Sequence, residues 1–217
     1  MIDVPKTPKR FIRIWLGNKE MPQIFEDWWV EFKEIHPDYE FLTINNINQL
    51  SITSEVKSLL NRVDSYAGQS DIIRLVALYE IGGIYVDTDI KPLKSFDALI
   101  NEKLFLGLRS SKSFESAVIG SPKHHIAIKE TLNQLPYWFE KNIGKSASVQ
   151  TGPAFVSSVL FGREDVTHLP IKTFYPYNGF GAPKRDDKIN MFEKNQFPDE
   201  MLAAHFSNHR WGGRPNK

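Results

Sequence analysis

Two aspartates, Asp87 and Asp89, stand near the end of the decapeptide "GGIYVDTDIK" at residues 82–91. Residues two apart in extended chain point to the same side, so both carboxylates should face one small volume where the apolar run "IYV" ends. Like charges at such range repel by about 1 kcal/mol in water and by more where solvent is thin, which calls for a cation or a retained proton. A divalent ion is the economical answer. With Asp-type ligands and no cysteine in the chain, that ion should be hard, Mg²⁺ or Mn²⁺, with positions left open for water and phosphate oxygens. The competing reading is a plain turn, because Asp and Thr are common turn formers and a bare D-x-D recurs by chance.

The segment upstream adds to the pair. Asp71 and Arg74 lie three apart in "SDIIRLVALYEI", so one helical face would offer a carboxylate and a guanidinium together. Asp71 could instead be a first-turn acid that complements the helix dipole. The rest of that helix is almost wholly apolar, so an arginine in its middle should be buried with a definite partner.

Elements that would position these groups alternate along the chain. "FIRIWLG" is strand-like; "PQIFEDWWVEFKEIHP" places Ile24, Phe25, Trp28, Trp29, Phe32 and Ile35 on a helical stripe stopped by Pro37. "YEFLTI" reads as a strand, "SEVKSLLNRV" as a helix capped by Ser54, and "SDIIRLVALYEI" as a helix capped by Ser70 and ended by Gly82 and Gly83. "IYVD" and "LFLGL" follow as strands and "HHIAIKETLNQL" as a helix broken near Pro136, with His124 and His125 at its surface or cap. This is an α/β pattern, one domain over residues 1–217, with a mainly parallel sheet flanked by helices and ligands expected at the carboxyl ends of its strands. From "VQTGPAF" through "FYPYNGFGAPKRDD" the chain is rich in Gly, Pro and aromatics, the composition of long ordered loops.

Composition bounds the function. The 217 residues are 41% hydrophobic and 24% charged, a globular balance. A net charge of +1 supplies no overall field for nucleic acid, although Lys6, Lys9, Arg10 and Arg13 crowd one end and Arg210, Arg214 and Lys217 the other, as solvated termini or as anion-facing groups. Absence of cysteine excludes a disulfide framework and thiolate metal sites. No stretch reaches the roughly 20 apolar residues of a membrane span, and the opening residues lack the apolar core of a signal peptide, so a cytoplasmic location is expected.

Taken together, "GQSDIIRLVALYEIGGIYVDTDIKPL" resembles the core signature of the family 32 glycosyltransferases, DXD-containing sugar transferases that include yeast mannosyltransferases and bacterial capsule enzymes. It is also similar to the catalytic domain of the clostridial glucosylating toxins. "PKRFIRIWLG" resembles the family's opening strand, "TGP" at 151–153 recurs there, and "FYPY" at 174–177 and "AAHFSNHRW" resemble its late loop and closing segment. Two positions depart from the pattern: Arg13 stands where a histidine is usual, and Arg210 precedes Trp211 where a serine is usual.

The resemblance implies a retaining enzyme of the GT-A fold that takes a hexosyl group from a UDP- or GDP-sugar, with Mn²⁺ or Mg²⁺ between the acids and the diphosphate. By the same resemblance Asp89 would ligate the ion directly, Asp87 would contact metal-bound water or the donor ribose, and His205 would complete the coordination sphere. Asp71 and Arg74 would hold donor-sugar hydroxyls, Trp15 would stack on the base, Tyr85 would lie near the donor, and Arg210 and Trp211 would belong to the donor site, with Arg210 supplying a charge to the diphosphate. From burial alone Trp15 could equally be a core aromatic, and a satisfied core histidine would be the default for His205. The implied acceptor is a glycan or lipid-linked oligosaccharide in capsule or surface polysaccharide assembly, which extends the expected location to peripheral association with the inner face of a membrane.

A protein-modifying transferase of toxin type and a non-catalytic nucleotide-sugar-binding module are the alternatives. A haloacid dehalogenase-type phosphatase fits poorly, since Lys91 stands where Thr or Val is wanted, and a dinucleotide-binding or P-loop enzyme does too, since G-x-G-x-x-G and the Gly-Lys-Ser/Thr signature are both absent.

Overall fold

The computed structural model describes residues 6–175 and 190–207. A six-stranded sheet contains β1 (Arg10–Ile14), β2 (Glu40–Ile44), β3 (Gly83–Val86), β5 (Leu104–Ser110), β6 (Ser113–Ser121) and β7 (Val166–Leu169), and a two-stranded sheet pairs β4 (Ile90–Pro92) with β8 (Ala203–His205). The large sheet runs β2-β1-β3-β6-β5-β7; β1 is parallel to β2 and β3, β5 is parallel to β7, and β6 alone runs against its two neighbours. The expected mainly parallel α/β sheet is therefore present, with one reversed strand in its middle. That strand, "SFESAVIGS", gave no clear period in the sequence because it is buried along most of its length.

Helices α1 (Gln23–Ile35), α2 (Ser54–Leu60), α3 (Tyr66–Glu80), α4 (Ile126–Lys141), α5 (Ala147–Gln150) and α6 (Pro153–Leu160) cover the sheet. The core on one face combines Ile72, Ile73 and Leu75 of α3 with Ile128 and Leu135 of α4 and Phe155 of α6; that on the other joins Trp29 and Phe32 of α1 to Phe11 and Val86. On α1 the buried stripe is Phe25, Trp28, Trp29 and Phe32, narrower than expected, since Ile24 faces solvent.

Three helix limits differ from the sequence expectation. Helix α2 is capped by Thr53, whose side chain accepts from the Val56 amide, so Ser54 is its first residue. Helix α3 is capped by Ser65, whose hydroxyl accepts from the Gly68 amide at 3.1 Å, not by Ser70. Asp71 consequently lies in the second turn, beyond the first-turn amides, and the helix-dipole account of it falls away. Helix α4 runs through Pro136 to Lys141, because Ile128, Thr131, Leu135 and Phe139 form one buried stripe that anchors both halves while Pro136 faces solvent.

Gly82 and Gly83 do end the α3 segment. Both have positive φ, +67° and +125°, and an added Cβ would meet the Lys123 amide nitrogen at 2.6 Å and the Arg10 carbonyl oxygen at 2.8 Å. Only glycine lets the chain reverse there and enter β3 beside β1.

Candidate active site

The D-x-D segment is a turn. The Asp87 amide donates to the Ala117 carbonyl of β6 at 2.8 Å, and the Ile90 amide donates back to the Asp87 carbonyl at 3.2 Å. The extended geometry expected of the two acids is thus corrected: it is this reversal, not strand alternation, that brings the carboxylates together. The turn and metal readings, set against each other by the sequence, describe one object.

Strand β8 supplies a third group. Register pairs Ile90 with His205, the His205 amide donates to the Phe174 carbonyl at 3.0 Å, and His205 Nε2 lies 3.2 Å from Asp89 Oδ1. Ligand atoms of Asp87, Asp89 and His205 all lie within 4.8 Å of one another. Two carboxylates and an imidazole suit a Mn²⁺ or Mg²⁺ ion better than a thiophilic one, so the donor set fits the expected class of metal. Burial disfavours charge on His205, but the facing Asp89 and Asp87 outweigh it and raise its pKa to about 9. Without an ion, a protonated His205 thus neutralises part of the acidic cluster.

Behind the acids lies a buried arginine with several partners. Arg74 Nη2 is 2.9 Å from Asp71 Oδ1 and 3.3 Å from Asp87 Oδ1. Its Nη1 donates to the Ser116 carbonyl and meets Ser116 Oγ at 3.3 Å, while the guanidinium lies 4.5 Å from the centre of the Tyr85 ring. One cation is shared between two carboxylates. Burial pushes the Asp71 carboxyl up to about 6 against the attraction of Arg74, and burial also raises Asp87 despite Arg74 and His205.

Asp71 Oδ2 also accepts from Thr151 Oγ1 at 3.0 Å, which ties α3 to the "TGP" segment opening α6. Thr151 and Ser116 were not singled out as individual groups in the sequence. The recurrence of "TGP" pointed toward Thr151, whereas nothing local marked Ser116, which matters through the reversed strand.

Tyr85, expected near the donor, is 2% exposed. Its hydroxyl donates to Asp87 Oδ1 at 2.6 Å, so it braces Asp87 from the core and has almost no surface of its own to offer. Trp15 directly follows β1, and its amide donates to the Ile44 carbonyl of β2 at 2.9 Å. It is half-buried, with its indole N–H donated to the Lys19 carbonyl at 2.7 Å, which argues against the fully buried alternative. Arg13, at the position where the family usually has histidine, is buried; it donates to Glu26 at 2.7 Å and Thr43 at 2.9 Å and stacks over Trp29 at 4.5 Å. Arg10 likewise pairs with Glu40 and Lys9 with Asp38, so this basic cluster is engaged with acids. Arg210 and Trp211 lie outside the described residues, as does most of the "FYPYNGFGAPKRDD" stretch.

Residues 18–106 match the family described as the glycosyltransferase sugar-binding region containing a DXD motif. Inositol phosphoceramide mannosyltransferase 3 of Schizosaccharomyces pombe is 26% identical over 159 residues, covering 70% of this chain and 44% of that protein. Mannosyl phosphorylinositol ceramide synthase SUR1 of Saccharomyces cerevisiae is 26% identical over 168 residues, covering 72% and 44%. The chain thus spans less than half the length of these curated relatives. Among solved structures, the PaToxG glycosyltransferase superposes with a TM-score of 0.63 at 21% identity over 72% of this chain and 68% of that one. The galactosyltransferase LgtC, solved with donor and acceptor sugar analogues, gives 0.53 at 12% identity over 92% and 87%. At such identities these two establish the GT-A type fold alone. The matched segment begins shortly after β1, contains the two aspartates and ends within β5, so this part of the chain is similar to the DXD-containing glycosyltransferases.

Proposed function

We propose that the chain is a metal-dependent, retaining hexosyltransferase that uses a UDP- or GDP-sugar donor and a glycan or lipid-linked acceptor. The observation that carries this reading is the meeting of Asp87, Asp89 and His205 in one small volume, with the Arg74–Asp71 pair directly behind them. A Mn²⁺ or Mg²⁺ ion held by those three residues would supply positive charge where the nucleoside diphosphate departs.

The chain's own groups have defined parts in this scheme. Asp89 would hold the ion directly, and Asp87, oriented by the Tyr85 hydroxyl and Arg74, would contact the ribose or water bound to the ion. Asp71 and Arg74, with side chains 9% and 7% exposed, present one polar edge that suits a sugar diol. Trp15 stacks on the nucleobase, and Arg210 and Trp211 are assigned to donor binding from the sequence, Arg210 as a charge for the diphosphate. The donor glycosidic bond to phosphate breaks, the acceptor oxygen bonds the anomeric carbon on the same face, and the acceptor proton passes to the leaving phosphate oxygen. On this route the chain need not supply a separate base.

The names of the curated relatives make mannose the first hexose to test and a lipid-borne polyol the first acceptor, with peripheral membrane contact as its consequence. A capsule or other surface glycan is the wider class. Among the described residues no helix is long and apolar enough to cross a membrane. The test is a thermal-shift screen of UDP- and GDP-sugars with and without Mn²⁺, followed by NMR of the product anomer. Metal-dependent stabilisation by one nucleotide and retained anomeric configuration are expected. No response to any nucleoside diphosphate with Mn²⁺ would overturn the donor assignment.

A further inference from the structure

The Asp71–Arg74 pair is held from one side by the junction of α5 and α6. Thr151 closes α5, Gly152 opens α6, and Thr151 is fully buried. Its Oγ1 lies 3.0 Å from Asp71 Oδ2 and 3.2 Å from the Ala147 carbonyl oxygen. A hydroxyl has one hydrogen, so it donates to one of these two acceptors at a time. The Ala147 carbonyl already accepts the Thr151 and Gly152 amides at 2.9 and 3.0 Å, and a carboxylate is the stronger acceptor. The Thr151 proton therefore goes to Asp71.

Two glycines let this hydroxyl come so close. Gly68 stands three residues before Asp71 in α3 and so on the same helical face. A Cβ added there would stand 2.6 Å from Val63 Cγ1 and 3.3 Å from Thr151 Oγ1. One added to Gly152 would stand 3.0 Å from Asp71 Oδ2 and from Ser148 Cα. Each distance is inside ordinary van der Waals contact, so a side chain at either place would push the junction off α3. Branching at the threonine Cβ also restricts χ1, which aims Oγ1 before any ligand arrives.

For Asp71 the consequence is a fixed plane. Its Oδ1 lies 2.9 Å from Arg74 Nη2 and its Oδ2 accepts from Thr151, one contact to each oxygen. With Arg74 alone the carboxylate could turn about its last bond, whose torsion is broad. Each oxygen keeps a lone pair for a ligand hydroxyl. Burial pushes the Asp71 carboxyl up, while Arg74 and the Thr151 hydroxyl pull against it and favour the accepting, ionised form.

We propose that Thr151 is a positioning residue for donor-sugar recognition, its hydroxyl fixing the Asp71 carboxylate in the plane in which Asp71 and Arg74 receive the hexose. The inference rests on the glycosyltransferase reading above. Its test uses Thr151→Val, which keeps the shape and removes the donor, Thr151→Ser, which keeps the donor, and Gly152→Ala, which keeps the hydroxyl and crowds Asp71 Oδ2. Each is titrated by calorimetry with GDP-mannose and UDP-glucose, and with the free nucleoside diphosphates, in the presence of Mn²⁺.

Thr151→Val should bind the free nucleoside diphosphate as the wild type does and the nucleotide sugar about tenfold more weakly, the worth of one hydrogen bond to a charged group. Thr151→Ser should recover most of that loss, and Gly152→Ala should show the same selective loss as Thr151→Val. If Thr151→Val does not fold, the other two variants decide: wild-type affinity for the sugar in Gly152→Ala, or tenfold loss in Thr151→Ser, would overturn the inference. An equal fall for nucleotide sugar and free nucleotide would make Thr151 a support of the fold alone, and unchanged sugar affinity in Thr151→Val would leave it no part in recognition; either overturns this inference and spares the functional reading. A wild-type protein that binds neither nucleotide sugar overturns both.

Discussion

Asp71→Asn should stabilise the metal-free protein while disabling it. In the folded chain the Asp71 carboxyl is held at about 6 against an ordinary 3.8, because burial costs it more than its share of Arg74 returns. Keeping it ionised therefore carries a cost of about 3 kcal/mol at pH 8. The sign follows from the raised value: the folded state binds the proton more tightly, so the contribution is favourable below pH 3.8 and is lost as pH rises through 6. Asparagine is a neutral stand-in for the protonated acid, yet its amide nitrogen cannot accept from Thr151 or Arg74, which removes roughly half of that ceiling. The expected gain is about 1–2 kcal/mol at pH 8, a rise of about 3–6 °C in melting temperature for a chain of this size. Thermal scans with EDTA from pH 4.5 to 8.5 should show the gap closing toward the acid end, where wild-type Asp71 is itself protonated. Transfer with Mn²⁺ should fall by about 100-fold or more at every pH. A variant that melts below wild type at pH 8, or a gap independent of pH, would mean that the Arg74 attraction outweighs desolvation and would refute the reasoning.

Asp89→Asn should fold, lose the Mn²⁺-dependent thermal shift with nucleoside diphosphate, and lose about 100-fold in turnover; full activity with Mn²⁺ would end the metal assignment. His205, held near pH 9, contributes stability that is fully present below pH 6.5 and lost as pH rises through 9, so metal-free His205→Gln should show a flatter stability profile across that window. Calorimetry should also find Mn²⁺ binding to the wild type tightening with pH there, since the ion must displace the His205 proton. Arg13→Met should cost about 1–2 kcal/mol through the lost Glu26 and Thr43 contacts and leave turnover per folded molecule unchanged; a selective fall in turnover would instead give Arg13 a part in the reaction.

Several features of the site were written in local sequence. Spacing alone placed Asp71 and Arg74 on one helical face, and the apolar residues around Arg74 required its burial and partners; the ion pair at 2.9 Å meets both expectations. Gly82 and Gly83 marked the passage from helix to strand because no other residue tolerates that backbone so close to Arg10 and Lys123. The class of sheet followed from alternating apolar runs and helical periods.

Tertiary structure decided the rest, wherever contacts between distant segments set the outcome. The Ser65 cap and the passage of α4 through Pro136 depend on packing that overrides local preference. Register between β4 and β8 brings His205 to Asp89, and a reversed strand places Ser116 under Arg74. Residue types named the chemistry because charge and hydrogen-bonding capacity belong to each side chain. Whether one arginine serves two carboxylates depends on desolvation and proximity that exist only once the sheet has formed.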